Sequence, residues 1–369
     1  MAAAPFAHRF ERVRRAMAAA DVEALLLSVG PDLPWLCGYE AMPLERLTML
    51  VLTTEGATLV VPGLEAPRVT EHPELFALRP WGETEDPIAM TAELLGPARR
   101  VAIGDRTWAR FLVDLQRAVP GLDVRRASEI TGPLRAVKDA HEVDALHRAG
   151  AAVDRIAAEL QGGAIPLVGR SEADVSADLS RRILAEGHHR VNFAIVAAGA
   201  NAASPHHEPG GRIIGPDEVV LCDFGGTMAD EFGVGYCSDI TRCVWTGTPP
   251  DHAAEVYDVL RMAHAASVAA AEVGASCESV DAAGRSVITE AGFGEYFVHR
   301  TGHGMGVEEH EDPYIVEGNT AALVLGNCFS IEPGIYLPGR YGFRLEDCVV
   351  TTDAGADPLT DVDHRLVAL

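Results

Sequence analysis

Histidines, glycines and carboxylates are concentrated between residues 299 and 313, where the sequence is HRTGHGMGVEEHEDP. The stretch holds three histidines and four carboxylates, and glycines flank His303 on both sides. Because glycine has no Cβ, these neighbours let the backbone come close to whatever the imidazole contacts. Taken alone, the segment is equally consistent with a plain glycine-rich loop.

Four acidic residues elsewhere fall inside apolar, strand-like runs. They are Asp223 in VVLCDFGG, Asp239 in GYCSDITRCV, Glu332 in CFSIEPGIY and Glu346 in GFRLEDCVV. Strands disfavour carboxylates through both propensity and desolvation. Four such acids and a glycine-framed histidine need a shared explanation, and a bound cation is the simplest one.

The donor set of these five residues indicates which ions would bind. Four carboxylates and one imidazole suit manganese, cobalt, iron or zinc rather than copper(I). Carboxylates can bridge, so two ions ~3.5–4 Å apart fit the set better than one. Such a pair lowers the pKa of a shared water and stabilises an oxyanion, which predicts hydrolysis of an acyl or phosphoryl bond.

Composition limits the partners. The net charge is −24, which argues against nucleic acid and anionic membranes and mildly favours cationic or zwitterionic partners such as a peptide N-terminus. Seven cysteines, an odd number, indicate a reducing compartment. No apolar run approaches the ~20 residues of a membrane helix, and the first residues lack the apolar core of a signal peptide. We therefore expect a cytoplasmic protein.

The length of 369 residues suggests two domains, with the boundary in PLRAVKDAHEVD. In the first domain, residues 1–135, apolar spacing predicts a helix over 6–20. Short strands are predicted over 24–29, 47–53, 58–61 and 100–103. This part is expected to be a small α/β domain without a catalytic constellation of its own.

The second domain, residues 136–369, repeats one scheme of two helices followed by strands that carry histidines and acids. A capping box of Ser171 with Asp174 is predicted to open one of these helices, and another is predicted to be capped near Ser276. The predicted strands are 191–196, 219–224, 236–245, 296–300, 328–336 and 343–351. The self-similarity suggests two α/β halves related by a pseudo-twofold axis. Hairpin pairing would place Asp223 beside Asp239 and Glu332 beside Glu346. The segment 225–238 is longer than such a hairpin needs, which makes the first pairing the less secure.

The motifs VVLCDFGG, GYCSDITR, HRTGHGMG with HEDP, SIEPGIY and FRLEDCV resemble those of the pita-bread metallopeptidases, which include prolidase, aminopeptidase P and methionine aminopeptidase. The resemblance covers about residues 138–369, and the five motifs occur in the family's order. The domain before it is similar to the creatinase-like N-terminal domain of prolidases and aminopeptidases P. The resemblance thus implies an α/β (α+β) protein with that small domain followed by a pita-bread domain.

Roles for individual residues follow from this resemblance. It implies two divalent metal ions, manganese first and cobalt, zinc or iron as alternatives. The implied ligands are Asp223, Asp239, His303, Glu332 and Glu346. Glu332 is also expected to carry the proton of the attacking water. His206 and His310 match histidines that hold the substrate, and Arg344 matches an arginine of the substrate's carboxylate end and the hydrogen-bond network.

Four further residues lie near these motifs. His299 is expected to support the loop through a hydrogen bond, and Asp347 should point to the opposite face and be structural. Thr241 is equally consistent with a hydrogen bond to a ligand carboxylate and with plain strand packing. Tyr236 is similarly open.

The resemblance implies hydrolysis of the bond before proline in Xaa-Pro dipeptides by a metal-bridging hydroxide. The alternative is an aminopeptidase P, which removes the first residue from longer Xaa-Pro peptides. A scaffold that lost its metals, or metal-free creatinase-like hydrolysis, is disfavoured because all five ligand types are present. The expected partner is a small peptide with proline in second position, and a homodimer is expected.

Overall fold

The computed structural model describes residues 5–369, and the chain forms two compact units. The first unit extends to Arg135 and also includes Asp230–Gly235. The second contains Ala136–Ala229 and Tyr236–Leu369. The tip of the long segment 225–238 therefore belongs with the first unit, where the ring of Phe232 packs edge-on against Phe6 at a centroid distance of 6.3 Å.

The first unit is built on a six-stranded sheet. Its strands are β1 (Ala24–Leu27), β2 (Met49–Thr53), β3 (Ala57–Pro62), β4 (Ala77–Trp81), β5 (Arg100–Ile103) and β6 (Asp123–Arg126), in the order β4-β3-β2-β1-β5-β6. Its helices are α1 (Phe6–Ala19), α2 (Asp32–Cys37), α3 (Pro87–Leu95), α4 (Ala109–Ala118) and α5 (Ser128–Ala136). The predicted amphipathic helix is confirmed, because α1 buries Phe6, Phe10, Val13 and Met17 on one face.

The second unit contains four long helices and three small sheets. The helices are α6 (Ala140–Gln161), α7 (Glu172–Ala185), α8 (Asp251–Ala270) and α9 (Cys277–Glu290). The strands are β7 (Arg190–Ala198), β8 (Glu218–Ala229), β9 (Gly235–Cys237), β10 (Ile240–Thr246), β11 (Gly302–Gly304), β12 (Glu311–Ile315), β13 (Cys328–Ile331), β14 (Gly334–Leu337), β15 (Tyr341–Arg344), β16 (Asp347–Thr352), β17 (Gly355–Pro358) and β18 (Val367–Ala368). The sheets are β18-β10-β8-β7 with β9 beside β8, β12-β11-β13-β16-β17, and β14-β15. Each half of the unit thus supplies two helices and then strands, as the repeat predicted.

Side-chain caps fix where these helices begin. The Ser171 hydroxyl accepts a hydrogen bond from the Asp174 amide, and the Asp174 carboxylate accepts one from the Ser171 amide, so the predicted capping box is confirmed. Ser276 caps α9 in the predicted place. Among the helices of residues 5–369, none is both long and apolar enough to span a bilayer.

Three predicted strands are wrong in the same way, because each is interrupted at an acidic residue. Asp239 lies between β9 and β10, Glu332 between β13 and β14, and Glu346 between β15 and β16. Proline at 333 removes a backbone donor next to Glu332, which helps to end that strand. The acids therefore lie where the chain leaves a ladder, and only Asp223 is inside a strand. The strand predicted over 296–300 is absent too, since a 3₁₀ turn occupies Gly294–Tyr296.

The predicted pairing of Asp223 with Asp239 is also wrong, because Asp223 lies opposite Thr241 in the β8–β10 ladder. Glu332 and Glu346 come directly after the last pair of the β13–β16 ladder, Ile331 opposite Asp347, so this register leads to the predicted pair although both residues are outside the strands. An isolated bridge between Thr241 and Glu346 joins β10 to the chain between β15 and β16. The acids meet at a junction between sheets rather than on the face of one hairpin.

At Gly150, α6 packs so closely on the C-terminal segment that no side chain fits. A Cβ there would lie 2.1 Å from the Leu359 carbonyl oxygen. We expect Gly150→Ala to lower the free energy of unfolding by about 1–3 kcal/mol through overpacking. Alanine's better helix propensity, worth roughly 1 kcal/mol, would act in the opposite direction.

Urea denaturation measures this effect, with Ala151→Gly at the exposed neighbouring position as the control. That control should cost only about 1 kcal/mol, from helix propensity alone. A more stable Gly150→Ala variant would show that the close approach is not maintained in solution.

Candidate metal centre

The five predicted ligands come from different elements of the second unit and converge on one cavity of about 450 Å³. Its lining comprises Phe193, Ile195, Pro205, His206, Asp223, Asp239, His299, Arg300, His303, Glu309, His310, Glu332, Arg344 and Glu346. All eight site residues predicted from the sequence motifs are therefore present in one lining. The volume is within the range of small-molecule sites.

Ligand atoms lie close together at the base of this cavity. One atom from each of Asp239, His303 and Glu346 falls within 4.8 Å of the other two. The Nε2 atom of His303 is 3.9 Å from Oδ2 of Asp239 and 3.3 Å from Oε1 of Glu332. Asp223 is linked to Arg344, because Nη2 of Arg344 donates a hydrogen bond to Oδ2 of Asp223 at 2.5 Å.

Two carboxylate oxygens in the centre lack donors. Oδ1 of Asp223 and Oδ1 of Asp239 are buried, and neither accepts a hydrogen bond from any atom of residues 5–369. A buried carboxylate oxygen without a partner costs free energy, whereas a cation would satisfy it. The donor set and these oxygens therefore fit divalent cations.

Burial and mutual repulsion perturb the acids of the centre. Burial, reinforced by Glu346, raises the pKa of Asp239 well above its ordinary value. Burial, reinforced by Glu332, does the same to the pKa of Glu346. Burial also raises the pKa of Glu332 from 4.5 to about 7, against the opposing charge of Arg344. The cluster is therefore electrostatically unfavourable without positive charge among its oxygens.

His303 is held in the neutral form that a metal ligand requires. Burial, with the neighbouring His310, lowers its pKa to about 3. Its Nδ1 is 3.2 Å from the Gly304 carbonyl oxygen, so an Nδ1–H donor leaves Nε2 facing the acids with a free lone pair. The His310 ring stacks edge-on at 4.0 Å between centroids.

The glycines around His303 are required by neighbouring strands. A Cβ at Gly302 would lie 1.8 Å from the Ser330 carbonyl oxygen, and one at Gly304 would lie 2.3 Å from that of Asp312. Glycine thus allows β11 to fit between β12 and β13. The backbone around His303 does approach its neighbours closely, as expected, but those neighbours are the backbone atoms of adjacent strands.

A hydrogen-bond network supports the ligands. Thr241 donates from Oγ1 to Oε2 of Glu346 at 2.6 Å, which supports the first of its two predicted roles. Arg344 donates from Nε to Thr241 and from Nη1 to the Tyr336 hydroxyl, at 3.1 and 3.0 Å. Although burial opposes its charge, Tyr336 and Asp223 hold the pKa of Arg344 well above its ordinary value. Hydrogen bonds within the site therefore occupy most of the N–H donors of Arg344.

The remaining histidines differ in where they point. His206 lines the cavity, whereas Nε2 of His207 lies 2.8 Å from Glu172. His310 lines the cavity beside His303. His299 supports the site as expected, with Nε2 2.8 Å from the Tyr336 hydroxyl.

Two further predictions concern residues near the motifs. Tyr236 does not line the cavity, and its hydroxyl lies 3.5 Å from Glu142. Asp347 contacts Arg242 at 2.6 Å, which agrees with its predicted structural role.

Sequence reasoning missed two polar residues of the site. Tyr336 joins Arg344 to His299, and Arg300 lines the cavity with its guanidinium 4.6 Å from the Tyr314 ring centroid. Both had a signal in the chain: Tyr336 is four residues after Glu332, and Arg300 follows His299 directly.

The comparison with known sequences decides the family. Residues 143–353 match Metallopeptidase family M24, and residues 9–137 match the Creatinase/Prolidase N-terminal domain. The chain belongs to metallopeptidase family M24. This family membership confirms the predicted enzyme class and the two-part fold, with a creatinase-like domain followed by a pita-bread domain.

Individual M24 proteins are similar along most of their length. "Probable dipeptidase PepE" of Mycobacterium tuberculosis is 42% identical over 369 residues, covering 99% of this chain and 96% of the relative. "Xaa-Pro dipeptidase" of Lactobacillus helveticus is 37% identical, with 89% and 90% covered. The crystal structure of recombinant prolidase from Thermococcus sibiricus superposes with a TM-score of 0.92 at 32% identity and covers 100% of both chains.

The raised pKa values of the M24 acids predict an unusual pH dependence for the metal-free protein. Asp239, Glu332 and Glu346 bind protons more tightly in the folded than in the unfolded chain, so their contribution favours folding at low pH. It should decline as the pH rises from about 5 to 8. For Glu332 alone, the change from 4.5 to about 7 corresponds to roughly 3 kcal/mol.

Urea denaturation of chelator-treated protein at pH 5 and pH 8 tests this dependence. Added manganese should reduce the decrease in the free energy of unfolding between pH 5 and pH 8. Glu332→Gln should reduce the same decrease in metal-free protein, because the amide does not ionise. A metal-free protein that is equally stable at both pH values, with no effect of Glu332→Gln, would contradict the electrostatic description.

Proposed function

We propose that this M24 protein hydrolyses Xaa-Pro dipeptides with two divalent metal ions held by Asp223, Asp239, His303, Glu332 and Glu346. The observation that carries the proposal is the convergence of these side chains, with unsatisfied oxygens, at the base of a cavity of small-molecule size. The relatives named as dipeptidases support the substrate class. Composition and resemblance also favour a cytoplasmic homodimer.

Manganese is the first expectation for the ions, because four carboxylates dominate the donor set and oxygen ligands suit it. Cobalt, zinc and iron are the alternatives. When bound, the ions would lower the pKa of the attacking water and offset negative charge on the reacting carbonyl oxygen.

Glu332 is suited to move the proton of the attacking water. Its Oε1 lies near both His303 and the Ser330 hydroxyl, at 3.3 and 3.2 Å, and a carboxylate within hydrogen-bond reach of the attacking water can accept its proton. We assign to it acceptance of the water proton and its delivery to the departing proline nitrogen. That nitrogen must be protonated because the amine leaves as a neutral group.

His206 and His310 are assigned to the peptide itself. Both line the cavity above the ligands. Burial lowers the pKa of His310, which keeps its ring neutral at physiological pH. A neutral imidazole can donate one hydrogen bond to the substrate's carbonyl oxygen without repelling the cations.

The carboxylate of a dipeptide needs a cationic partner. Arg344 is a predicted candidate, but its hydrogen bonds to Asp223, Thr241 and Tyr336 favour the network role. Arg300 lines the same cavity and is stacked on Tyr314, which orients its guanidinium. We assign the substrate carboxylate to Arg300 and the positioning of Asp223 and Thr241 to Arg344.

A substrate panel distinguishes the two peptidase alternatives. We expect manganese-loaded protein to cleave Ala-Pro and Gly-Pro and to cleave an Xaa-Pro-Yaa tripeptide poorly, because Arg300 would meet the carboxylate only in dipeptides. Free proline release measures the reaction. Preference for the tripeptide would indicate an aminopeptidase P, and no cleavage of any of them by metal-loaded protein would favour a non-catalytic scaffold.

Replacing the proposed proton carrier should stop turnover. We expect Glu332→Gln to lower kcat on Ala-Pro by about 100-fold or more, because the amide cannot carry the proton. Glu309→Gln, at another glutamate of the cavity, is the matched control and should retain activity. More than a tenth of the wild-type rate in Glu332→Gln would contradict the role.

The assignment of Arg300 predicts a substrate-dependent effect. Arg300→Met should raise KM for Ala-Pro by about tenfold or more, from loss of a charge-assisted hydrogen bond. It should change KM for Ala-Pro-amide little, because that substrate has no carboxylate. Arg340→Met is the control, since Arg340 also stacks on a tyrosine but lies outside the cavity lining. Equal effects on both substrates would disprove the assignment.

A further inference from the structure

A second set of metal-ligating side chains lies on the other side of strand β16. It consists of His264 on α8, Asp347 at the start of β16 and His364 in the C-terminal segment. One ligand atom from each falls within 4.8 Å of the other two. None of the three belongs to the cavity described above.

Both imidazoles converge on one carboxylate oxygen. The Nε2 atoms of His264 and His364 lie 3.2 and 2.6 Å from Oδ2 of Asp347. Within residues 5–369, however, neither nitrogen has a partner that satisfies hydrogen-bond geometry. Ligand atoms this close together without hydrogen-bond geometry between them are typical of the ligands around a cation.

Burial makes this arrangement costly as protein alone. The side chains of His264 and Asp347 are 3% and 4% exposed, and that of His364 is 35% exposed. Nearby, Oδ1 of Asp154 is another buried atom that no donor of the described residues reaches. Burial lowers the pKa of His264, so its ring is neutral and able to ligate.

The second oxygen of Asp347 is held in place. Arg242 donates from Nη2 to Oδ1 at 2.6 Å and leaves Oδ2 facing the histidines. A hydrogen bond to the distal oxygen orients a ligating carboxylate, as outer partners do in metal sites. The arginine is itself fixed, since its Nη1 donates to the Glu346 carbonyl oxygen at 2.6 Å.

We propose that His264, Asp347 and His364 form a zinc site, separate from the M24 centre. Two imidazoles and one carboxylate are a three-ligand set for tetrahedral Zn²⁺, and the exposed side of His364 leaves room for water as the fourth ligand. Tetrahedral zinc places ligand atoms about 3.3 Å apart, close to the His264–Asp347 separation. The 2.6 Å distance between Nε2 of His364 and Oδ2 of Asp347 would lengthen by roughly 0.7 Å when zinc binds.

The two centres differ in the ion that they favour. Nitrogen donors select zinc over manganese, whereas the carboxylates of the M24 centre suit manganese. The ion at the new site would connect α8, β16 and the C-terminal segment, whose last strand, β18, pairs with β10. Its role is therefore structural: it anchors the end of the chain to the strand that follows Glu346.

Metal counting tests the proposal on the full protein. The protein is stripped with a chelator, saturated with Mn²⁺ and titrated with Zn²⁺, and both metals are then measured per chain after gel filtration. Because zinc binds most sites more tightly than manganese, some exchange at the M24 centre is expected, and the proposal predicts one zinc per chain beyond the zinc that replaces manganese. Zinc that only replaces manganese, or binds in no fixed ratio, would overturn the proposal and leave a hydrogen-bonded His–Asp–His group.

Variants locate the zinc. His364→Gln should weaken zinc binding by at least about tenfold, because even loss of an outer partner has an effect of that size. His147→Gln is the matched control: its ring is 40% exposed and 3.9 Å from Asp357, without a second histidine in the group. Equal zinc affinity in wild-type and His364→Gln proteins would contradict the site.

A spectrum of the wild-type protein provides a readout that does not depend on variant folding. With the M24 centre loaded with manganese, added Co²⁺ should give the strong visible absorption of a tetrahedral ion. Added Zn²⁺ should abolish it in a one-to-one ratio. Absence of the tetrahedral band would overturn the proposed geometry.

Discussion

Repulsion among buried carboxylates is the constraint on which the M24 centre depends. Burial raises the pKa of Asp239, Glu332 and Glu346, and at least one neighbouring carboxylate raises the pKa of each of them further. Arg344 is a single cation against them, and it already donates to Asp223. Cations bound among these oxygens would resolve this imbalance, and they would supply the positive charge that hydrolysis of a peptide bond requires.

The sequence was sufficient to predict which acids would lie together in one cavity, because charged residues in apolar runs are rare without a reason. Helices were also predictable, since the apolar period of α1 and the capping box at Ser171 are local signals. The family motifs then specified the class of enzyme. These inferences share one property: each depends on residues that are close together in the chain.

Long-range geometry was not predictable in the same way. The strands were expected to continue through Asp239, Glu332 and Glu346, but the chain leaves its ladder at each of them. Apolar residues on both sides of a break look like one buried strand, so hydrophobic pattern alone does not reveal where a strand changes sheets. Tyr336 and the Thr241–Glu346 bridge became visible only when the sheets were placed together.

Anomalous diffraction from crystals of manganese-loaded protein, measured on both sides of the manganese absorption edge, tests the central claim most directly. We expect two strong peaks among Asp223, Asp239, His303, Glu332 and Glu346, with the unsatisfied oxygens of the two aspartates in contact with them. A centre without anomalous density at saturating manganese, or with the five side chains turned away from one another, would contradict it.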